Sequence, residues 1–255
     1  MGYLAGIDLG TSSVKVLIMD PDGRTLAVSS RGYDVMTPKM SYAEQEPQVW
    51  WDCTVMAIRE AMEKSGIRPE ELDGIGLSGQ MHGLVAFDRN NEPVMPAIIW
   101  MDQRSAKETA LIKELAGDLL ETELLNQPGA GMMICSLLWL KRHRPDVYDR
   151  IAHVMLPKDY IRYRLTGTIG SDFSDACATL AFSVKGRCWC MELIRRAGLK
   201  EDIWPQVGES SQAAGHVWAE AAARTGLSGH TRVVYGAGDS SAQLTGNGVI
   251  EEGIM

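Results

Sequence analysis

No stretch of the 255 residues approaches eighteen consecutive apolar side chains, and no basic segment precedes an apolar run near Met1. The sequence therefore offers nothing to cross a membrane or to direct export. No Asn-x-Ser/Thr acceptor occurs either. Cysteine is sparse: Cys53, Cys135, Cys177, Cys188 and Cys190 are an odd number in a chain long enough to fold without staples. They read as reduced, packed thiols, which makes a reducing cytoplasm the expected compartment. Cys188-Trp189-Cys190 lacks metal-ligand spacing. Positive charge is in deficit, with 25 Lys and Arg against 33 Asp and Glu and a net charge of −8. That argues against nucleic acid or an anionic membrane as the main partner and confines any phosphate site to a local cradle. Familiar phosphate signatures are missing too. No Gly is followed by Lys-Ser or Lys-Thr, and no His-Arg-Asp loop exists. Gly74-Ile75-Gly76-Leu77-Ser78-Gly79 spells a dinucleotide fingerprint, but it lies inside a predicted strand and leads to another strand, whereas the fingerprint must open a helix.

What is present begins with a hairpin. The apolar runs Tyr3 to Ile7 and Val14 to Met19 flank a polar turn, Asp8 to Ser13, containing Gly10. Gly10 is expected to take a positive φ, so that consecutive backbone N–H groups converge on an anion. Thr11, Ser12 and Ser13 add hydroxyls and Lys15 a charge. Asp8, a carboxylate beside such a cradle, makes sense with a divalent cation between them, and Mg²⁺ takes one or two carboxylates plus water and phosphate oxygens. The same letters also suit an ordinary hairpin with an Asp-Leu-Gly turn.

Asp22-Gly23 turns the chain into a third strand, read in Thr25 to Val28 and Tyr33 to Val35. Pro47 suits a first helical position, and Trp51, Val55, Ile58 and Met62 form one apolar stripe ending before Gly66. Leu72 to Ser78, Leu84 to Phe87 and Ala97 to Trp100 read as strands, Gln103 to Ala116 as an exposed helix, and Leu119 to Arg150 as helical. Val154 to Leu156 is a short strand, Tyr160 to Leu165 begins a helix, and Ser171 to Thr179 is small and polar. Trp189 to Ala197 and Val217 to Arg224 are helical, and Arg232 to Tyr235 is the last strand. The class is layered α/β with a mixed central sheet, opening β-β-β-α-β and carrying helical insertions. This is the opening of a ribonuclease H-like or actin-like lobe, and no domain boundary is legible.

Three further segments carry chemistry. Gly236-Ala237-Gly238-Asp239-Ser240-Ser241 follows a strand and opens a helix, placing Asp239 at its N-cap. Capping alone explains an Asp there; equally, a rigid carboxylate at a strand-to-helix corner can accept a proton from a hydroxyl. In Ser78 to Gly83 and in Trp100 to Arg104, the side chains of Gln80, His82, Asp102 and Arg104 have the donors and acceptors that a polyol needs, with the Trp100 indole as an apolar wall. Turn and cap chemistry, with His82 as a core histidine, is the competing reading.

Asp8-Leu9-Gly10-Thr11-Ser12, Glu46-Pro47-Gln48-Val49-Trp50-Trp51, Gly79-Gln80-Met81-His82-Gly83, Trp100-Met101-Asp102-Gln103-Arg104, Leu156-Pro157-Lys158-Asp159-Tyr160, Ser171-Asp172-Phe173-Ser174-Asp175-Ala176 and Gly236-Ala237-Gly238-Asp239 resemble, in order, the FGGY carbohydrate kinases. Gln80 to Gly83 is most similar to the xylulokinase branch. The resemblance implies ATP-dependent phosphorylation of a ketopentose, D-xylulose giving D-xylulose 5-phosphate, between two actin-like lobes. By the same resemblance Asp8 positions Mg²⁺, Gly10, Thr11 and Ser12 meet the phosphates, Met81, His82 and Trp100 meet the sugar, and Asp239 is the catalytic base. Ser240 stands where that branch often carries Asn, which leaves the sugar open at that contact. Residues 1–255 correspond to the N-terminal lobe alone. The expectation is that a C-terminal ATP-binding lobe is absent and the chain inactive by itself, with the uncovered face favouring self-association, a homodimer in its simplest form. A sugar-binding module without kinase activity, and a kinase for another polyol or a sugar acid, are the alternatives.

Overall fold

The computed structural model describes residues 2–251 and 253; the ends of the expected lobe, Met1 and Met255, lie outside them. Strands Tyr3–Leu9, Ser13–Met19 and Thr25–Gly32 form an antiparallel meander. Its first strand pairs in parallel with Leu72–Gly79, which pairs in parallel with both Arg232–Val234 and Ala237–Gly238. A last antiparallel strand, Ala213–His216, closes that edge. Three antiparallel strands, a crossover helix and parallel strands added on the far side of the first make the mixed sheet of the ribonuclease H-like, actin-like class. Residues along the first strand alternate: Ala5, Ile7 and Leu9 are buried, whereas Leu4 and Asp8 are exposed. One face of the sheet therefore meets the core.

The crossover helix, Pro47–Ser65, has Pro47 in its first turn and ends at Gly66, which takes φ +69° while its N–H donates to the Met62 carbonyl. Trp50, Trp51, Val55 and Ile58 from this helix are buried in one core with Ile7, Val16 and Ile75. A second core forms around Ile112, Leu120, Ile134, Leu137 and Leu193, beneath helices Ala106–Ala116, Met133–His143 and Met191–Arg196. The strand Val85–Phe87 serves both: Val85 and Phe87 face the first core, Ala86 the second. No linker separates the two, which is why the sequence shows no boundary. Among the described residues no helix is long and apolar enough to cross a membrane.

Several element boundaries differ from the sequence expectations. Tyr33 to Val35 is not strand; the third strand runs to Gly32. The helix expected from Gln103 begins at Ala106, and it is not an exposed helix throughout, since Glu108, Ile112 and Ala116 are buried. Leu119 to Arg150 is broken into a π-turn at Leu120–Leu124, the Met133–His143 helix and one turn at Pro145–Tyr148. The polar segment from Ser171 contains a two-residue strand, Ser171–Asp172, and a short helix, Phe173–Cys177.

Candidate active site

The hairpin turn is fixed from behind through its carbonyls. Tyr33 Oη donates to the Gly10 carbonyl at 2.6 Å, Gln45 Nε2 to the Thr11 carbonyl at 2.7 Å, and the Tyr33 N–H to the Ser12 carbonyl at 3.0 Å. The Gly10 N–H donates to the Ser13 carbonyl, while the N–H groups of Thr11 and Ser12 make no hydrogen bond among the described residues. Free donors beside fixed carbonyls make an anion cradle. Gly10 does not take the positive φ expected of it. It is needed instead for proximity, because a Cβ there would lie 3.2 Å from the Ser13 carbonyl oxygen. Neither Tyr33 nor Gln45 was singled out from the sequence; both act through backbone atoms, which leaves no compositional trace.

Leu9 and Gly238 sit level on either side of Gly79 in the sheet. The turn at Gly10 and the corner at Asp239 consequently leave the sheet together, two strand spacings or about 10 Å apart. Gly79 between them must be glycine, since a Cβ would come within 3.0 Å of the Leu9 carbonyl and 3.1 Å of the Lys158 Cβ. Asp8 pairs across the hairpin with Lys15, and both are exposed. Crowding against the sheet raises the Asp8 carboxyl above its ordinary value; Lys15 opposes that rise, the charge of Asp239 adds to it, and a hydrogen bond with Ser78 lowers it. The two carboxylates therefore feel one another across the central strand. Asp239 is the first residue of the helix Asp239–Gly246, and the N-cap is Gly238. Its Oδ1 accepts from the Ser240 N–H at 2.6 Å and from Ser240 Oγ at 3.2 Å, so Ser240 is turned toward Asp239.

The segments expected to hold sugar divide. Met81 packs its thioether over Gly238, where a Cβ would meet it at 3.0 Å, and so stands beside the Asp239 corner. His82 takes φ +69°, uncommon for a residue with a side chain. Its Nδ1 lies 2.7 Å from the Ala178 carbonyl, which can only accept, so Nδ1 carries the proton and a neutral ring keeps Nε2 as an acceptor. Trp100 is 46% exposed and its Nε1 donates to Thr11 Oγ1 at 2.8 Å, tying the Trp100 loop to the hairpin turn. Gln80 is not brought to this surface. It is buried, and its Nε2 donates to Gln45 Oε1 at 3.0 Å. Asp102 and Arg104 are likewise committed to each other. Arg104 Nε lies 2.9 Å from both carboxylate oxygens of Asp102, its Nη2 reaches Glu44 Oε1 at 2.6 Å, and its guanidinium stacks on Tyr42 at 3.7 Å. Asp102 Oδ2 also accepts from the Ala43 N–H. Neither caps the following helix, whose N-cap is Ser105. These two residues are a buried ion pair holding the Trp100 loop.

A groove of about 660 Å³ opens beside Asp8 and Lys15, lined by Ser78, Ala237 and Ser241 among others. Met81, His82 and Trp100, the residues expected to meet a sugar, do not line it. Beneath Gly79 lies a cluster that the sequence reading assigned no role: Lys158 Nζ contacts Asp159 Oδ1 at 2.7 Å, Asp172 Oδ1 at 2.7 Å and Asp175 Oδ2 at 3.3 Å, all without exposed surface. Only the spacing in Lys158-Asp159 and Asp172-Phe173-Ser174-Asp175 could have pointed to it.

The chain belongs to the FGGY family of carbohydrate kinases, whose N-terminal domain model matches residues 3–246. It is similar to the xylulose kinase of Lactococcus lactis subsp. lactis (strain IL1403), 37% identical over 256 residues that cover 99% of this chain and 50% of the relative. The glycerol kinase of Thermococcus gammatolerans (strain DSM 15229 / JCM 11827 / EJ3) is 29% identical over 257 residues, 99% of this chain and 51% of that one. Among solved structures, a xyloylose kinase from Brucella ovis matches with a TM-score of 0.91 at 37% identity, covering 98% of this chain and 51% of the other. The chain thus spans about half the length of the curated relatives it matches.

Proposed function

We propose that residues 1–255 form the sugar-binding and catalytic-base lobe of an ATP-dependent carbohydrate kinase, with D-xylulose as the sugar. The observation that carries this reading is the pair of carboxylates, Asp8 near the end of one strand and Asp239 just past the end of another on the opposite side of the central strand, close enough for the charge of one to raise the pKa of the other. Phosphoryl transfer asks a protein mainly to align the reacting oxygens and to take up the hydroxyl proton. Asp239, exposed at its corner, accepts that proton. The N–H groups of Thr11 and Ser12, with Lys15, hold phosphate oxygens. Met81, the free His82 Nε2 and the Trp100 indole orient the sugar.

Mg²⁺ fits this arrangement. Among the described residues no group of three or more His, Cys, Asp or Glu side chains is placed to hold a metal by itself. A lone carboxylate beside an anion cradle suits an ion that takes the rest of its shell from water and phosphate. Asp8 would hold it, and the ion would neutralise charge on the transferred group.

A panel of sugars tests the substrate. D-xylulose should raise the melting temperature of the chain above that seen with glycerol or gluconate, since a ligand stabilises by RT ln(1 + [L]/Kd). Stabilisation by glycerol or gluconate in preference to D-xylulose would reassign the sugar. A coupled ADP-release assay with D-xylulose and Mg²⁺-ATP tests the division of labour. The chain alone should not turn over, because orienting two reactants is worth about 7–11 kcal/mol and one lobe orients only one of them. Ordinary turnover by residues 1–255 alone would show that this chain is a complete kinase.

A further inference from the structure

Among the described residues the Asp239 side chain makes no hydrogen bond outside its own turn, its partner being Ser240. Its position is therefore inherited from the two residues before it, which form a strand only two residues long, Ala237–Gly238. The chain enters that strand through Gly236, whose φ is +83° and where a Cβ would stand 2.3 Å from the Leu77 carbonyl. Two amides bracketing Ala237 are then tied to the protein interior. The Gly236 N–H donates to the Ser210 carbonyl at 3.0 Å, and the Gly238 N–H donates to Ser174 Oγ at 3.1 Å.

Both serines converge on one oxygen. Ser174 Oγ donates to Asp172 Oδ2 at 2.5 Å and Ser210 Oγ to the same atom at 3.1 Å, while Asp172 Oδ1 is held by Lys158 at 2.7 Å. Asp172 also accepts from the Ser174 N–H at 2.8 Å, which caps the short helix Phe173–Cys177. A cap needs that one contact. It does not need the hydroxyl of Ser174 to be turned so that its oxygen receives the Gly238 amide, nor a second hydroxyl from a segment 38 residues away. Because Ser174 donates its only proton to Asp172, its lone pairs are left to face Gly238. Asp172 is fully buried, and although burial alone would raise its carboxyl, the Lys158 ammonium and the bonds from Ser174 hold it below its ordinary value, so the anchor is ionised.

We propose that Asp172 and Ser174 are positioning residues for the kinase reaction: the carboxylate fixes the Ser174 hydroxyl, the hydroxyl fixes the Gly238 amide, and the amide sets the direction in which Asp239 leaves the sheet. The proposal rests on the reading of Asp239 as the proton acceptor. It assigns the buried cluster around Lys158 a second task beside packing, since that cluster holds the far end of the relay.

The test compares Ser174→Ala with Ser174→Thr, which keeps the hydroxyl. By NMR on the chain itself, Ser174→Ala should speed hydrogen exchange of the Gly238 amide about tenfold, the worth of one hydrogen bond, and move the titration of the Asp239 carboxyl. Exchange at Ile7, in the core of the first strand, should not change, and Ser174→Thr should restore both signals. In a two-lobed kinase that carries this chain as its first lobe, Ser174→Ala should lower kcat about 10- to 100-fold with KM for the sugar within twofold. Unchanged Gly238 exchange and Asp239 titration in Ser174→Ala would overturn the proposal, and so would a rise in exchange shared equally by Ile7, which marks general destabilisation. A normal kcat in Asp239→Asn alongside the altered Gly238 signal would instead overturn Asp239 as the base and leave the mechanical coupling standing.

Discussion

Asp8 and Asp239 stand at strand exits with solvent in front of them, whereas Asp159, Asp172 and Asp175 lie without exposed surface around Lys158 and Arg162, just beneath the same central strand. The first pair has few partners: Asp8 has Lys15 across the hairpin and a bond with Ser78, and Asp239 has its own neighbour Ser240. The second group is tied inward, with Asp172 alone accepting from Ser174 and Ser210 and pairing with Lys158. The buried carboxyls are gathered around a shared cation inside the protein, whereas the exposed pair stays open to solvent. The Asp102–Arg104 pair falls on the buried side by the same criterion.

The contrast is broken most severely at Lys158. Replacing Lys158 with Ala leaves the buried Asp159, Asp172 and Asp175 side chains without their shared cation and should cost about 3–5 kcal/mol in urea denaturation. A loss below about 1 kcal/mol would mean that the cluster is not a scaffold. Asp175 sharpens the point through pH. Burial pushes its carboxyl up to about 8, with Asp159 and Asp172 adding to the rise against Lys158. The folded chain therefore holds a proton that the unfolded chain releases in the ordinary carboxylate range. The stability this confers is complete below that range and is lost as pH rises toward about 8, at no more than about 1.4 kcal/mol per pH unit. Denaturation curves at pH 5, 6.5 and 8 should show the wild type losing stability relative to Asp175→Asn; a constant difference between the two would contradict this. The smallest effect belongs to the open side. In a two-lobed kinase that carries this chain as its first lobe, His82→Ala should raise KM for the sugar by the worth of one hydrogen bond, about 0.5–1.5 kcal/mol, with kcat little changed. An unmoved KM would return His82 to a purely structural bond with the Ala178 carbonyl.

The parts of this fold that were legible in the sequence are those whose spacing mirrors one buried face. Trp51, Val55 and Ile58 repeat at helical intervals and are buried; Ile7, Val14 and Val16 follow strand alternation and are buried too. Gly23 and Gly66 mark turns because they take positive φ, as Asp22-Gly23 and the end of the apolar stripe suggested. Gly10 does not, since its role is a close approach to Ser13 that a turn signal cannot distinguish from φ. Asp8, Asp239, Met81, His82 and Trp100 were singled out by motif and are the residues proposed for the site. Gln80, Asp102 and Arg104 have the same hydrogen-bonding chemistry as sugar ligands, and only tertiary structure reveals that Gln45 and Glu44 claim part of it. The relay through Asp172 and Ser174 was hidden for a similar reason. It joins residues 64 positions apart through a hydroxyl and an amide, and neither has a periodicity.

The central claim is that Asp239 is kept open for chemistry while the buried carboxylates build the frame. The most direct measurement is kcat of Asp239→Asn in a two-lobed kinase that carries this chain as its first lobe, taken together with its melting temperature. We expect kcat to fall about 10²- to 10⁴-fold, the range of a general base, with the melting temperature and sugar affinity close to those of the wild type. A kcat within a few-fold of the wild type would make Asp239 a helix-start residue and nothing more.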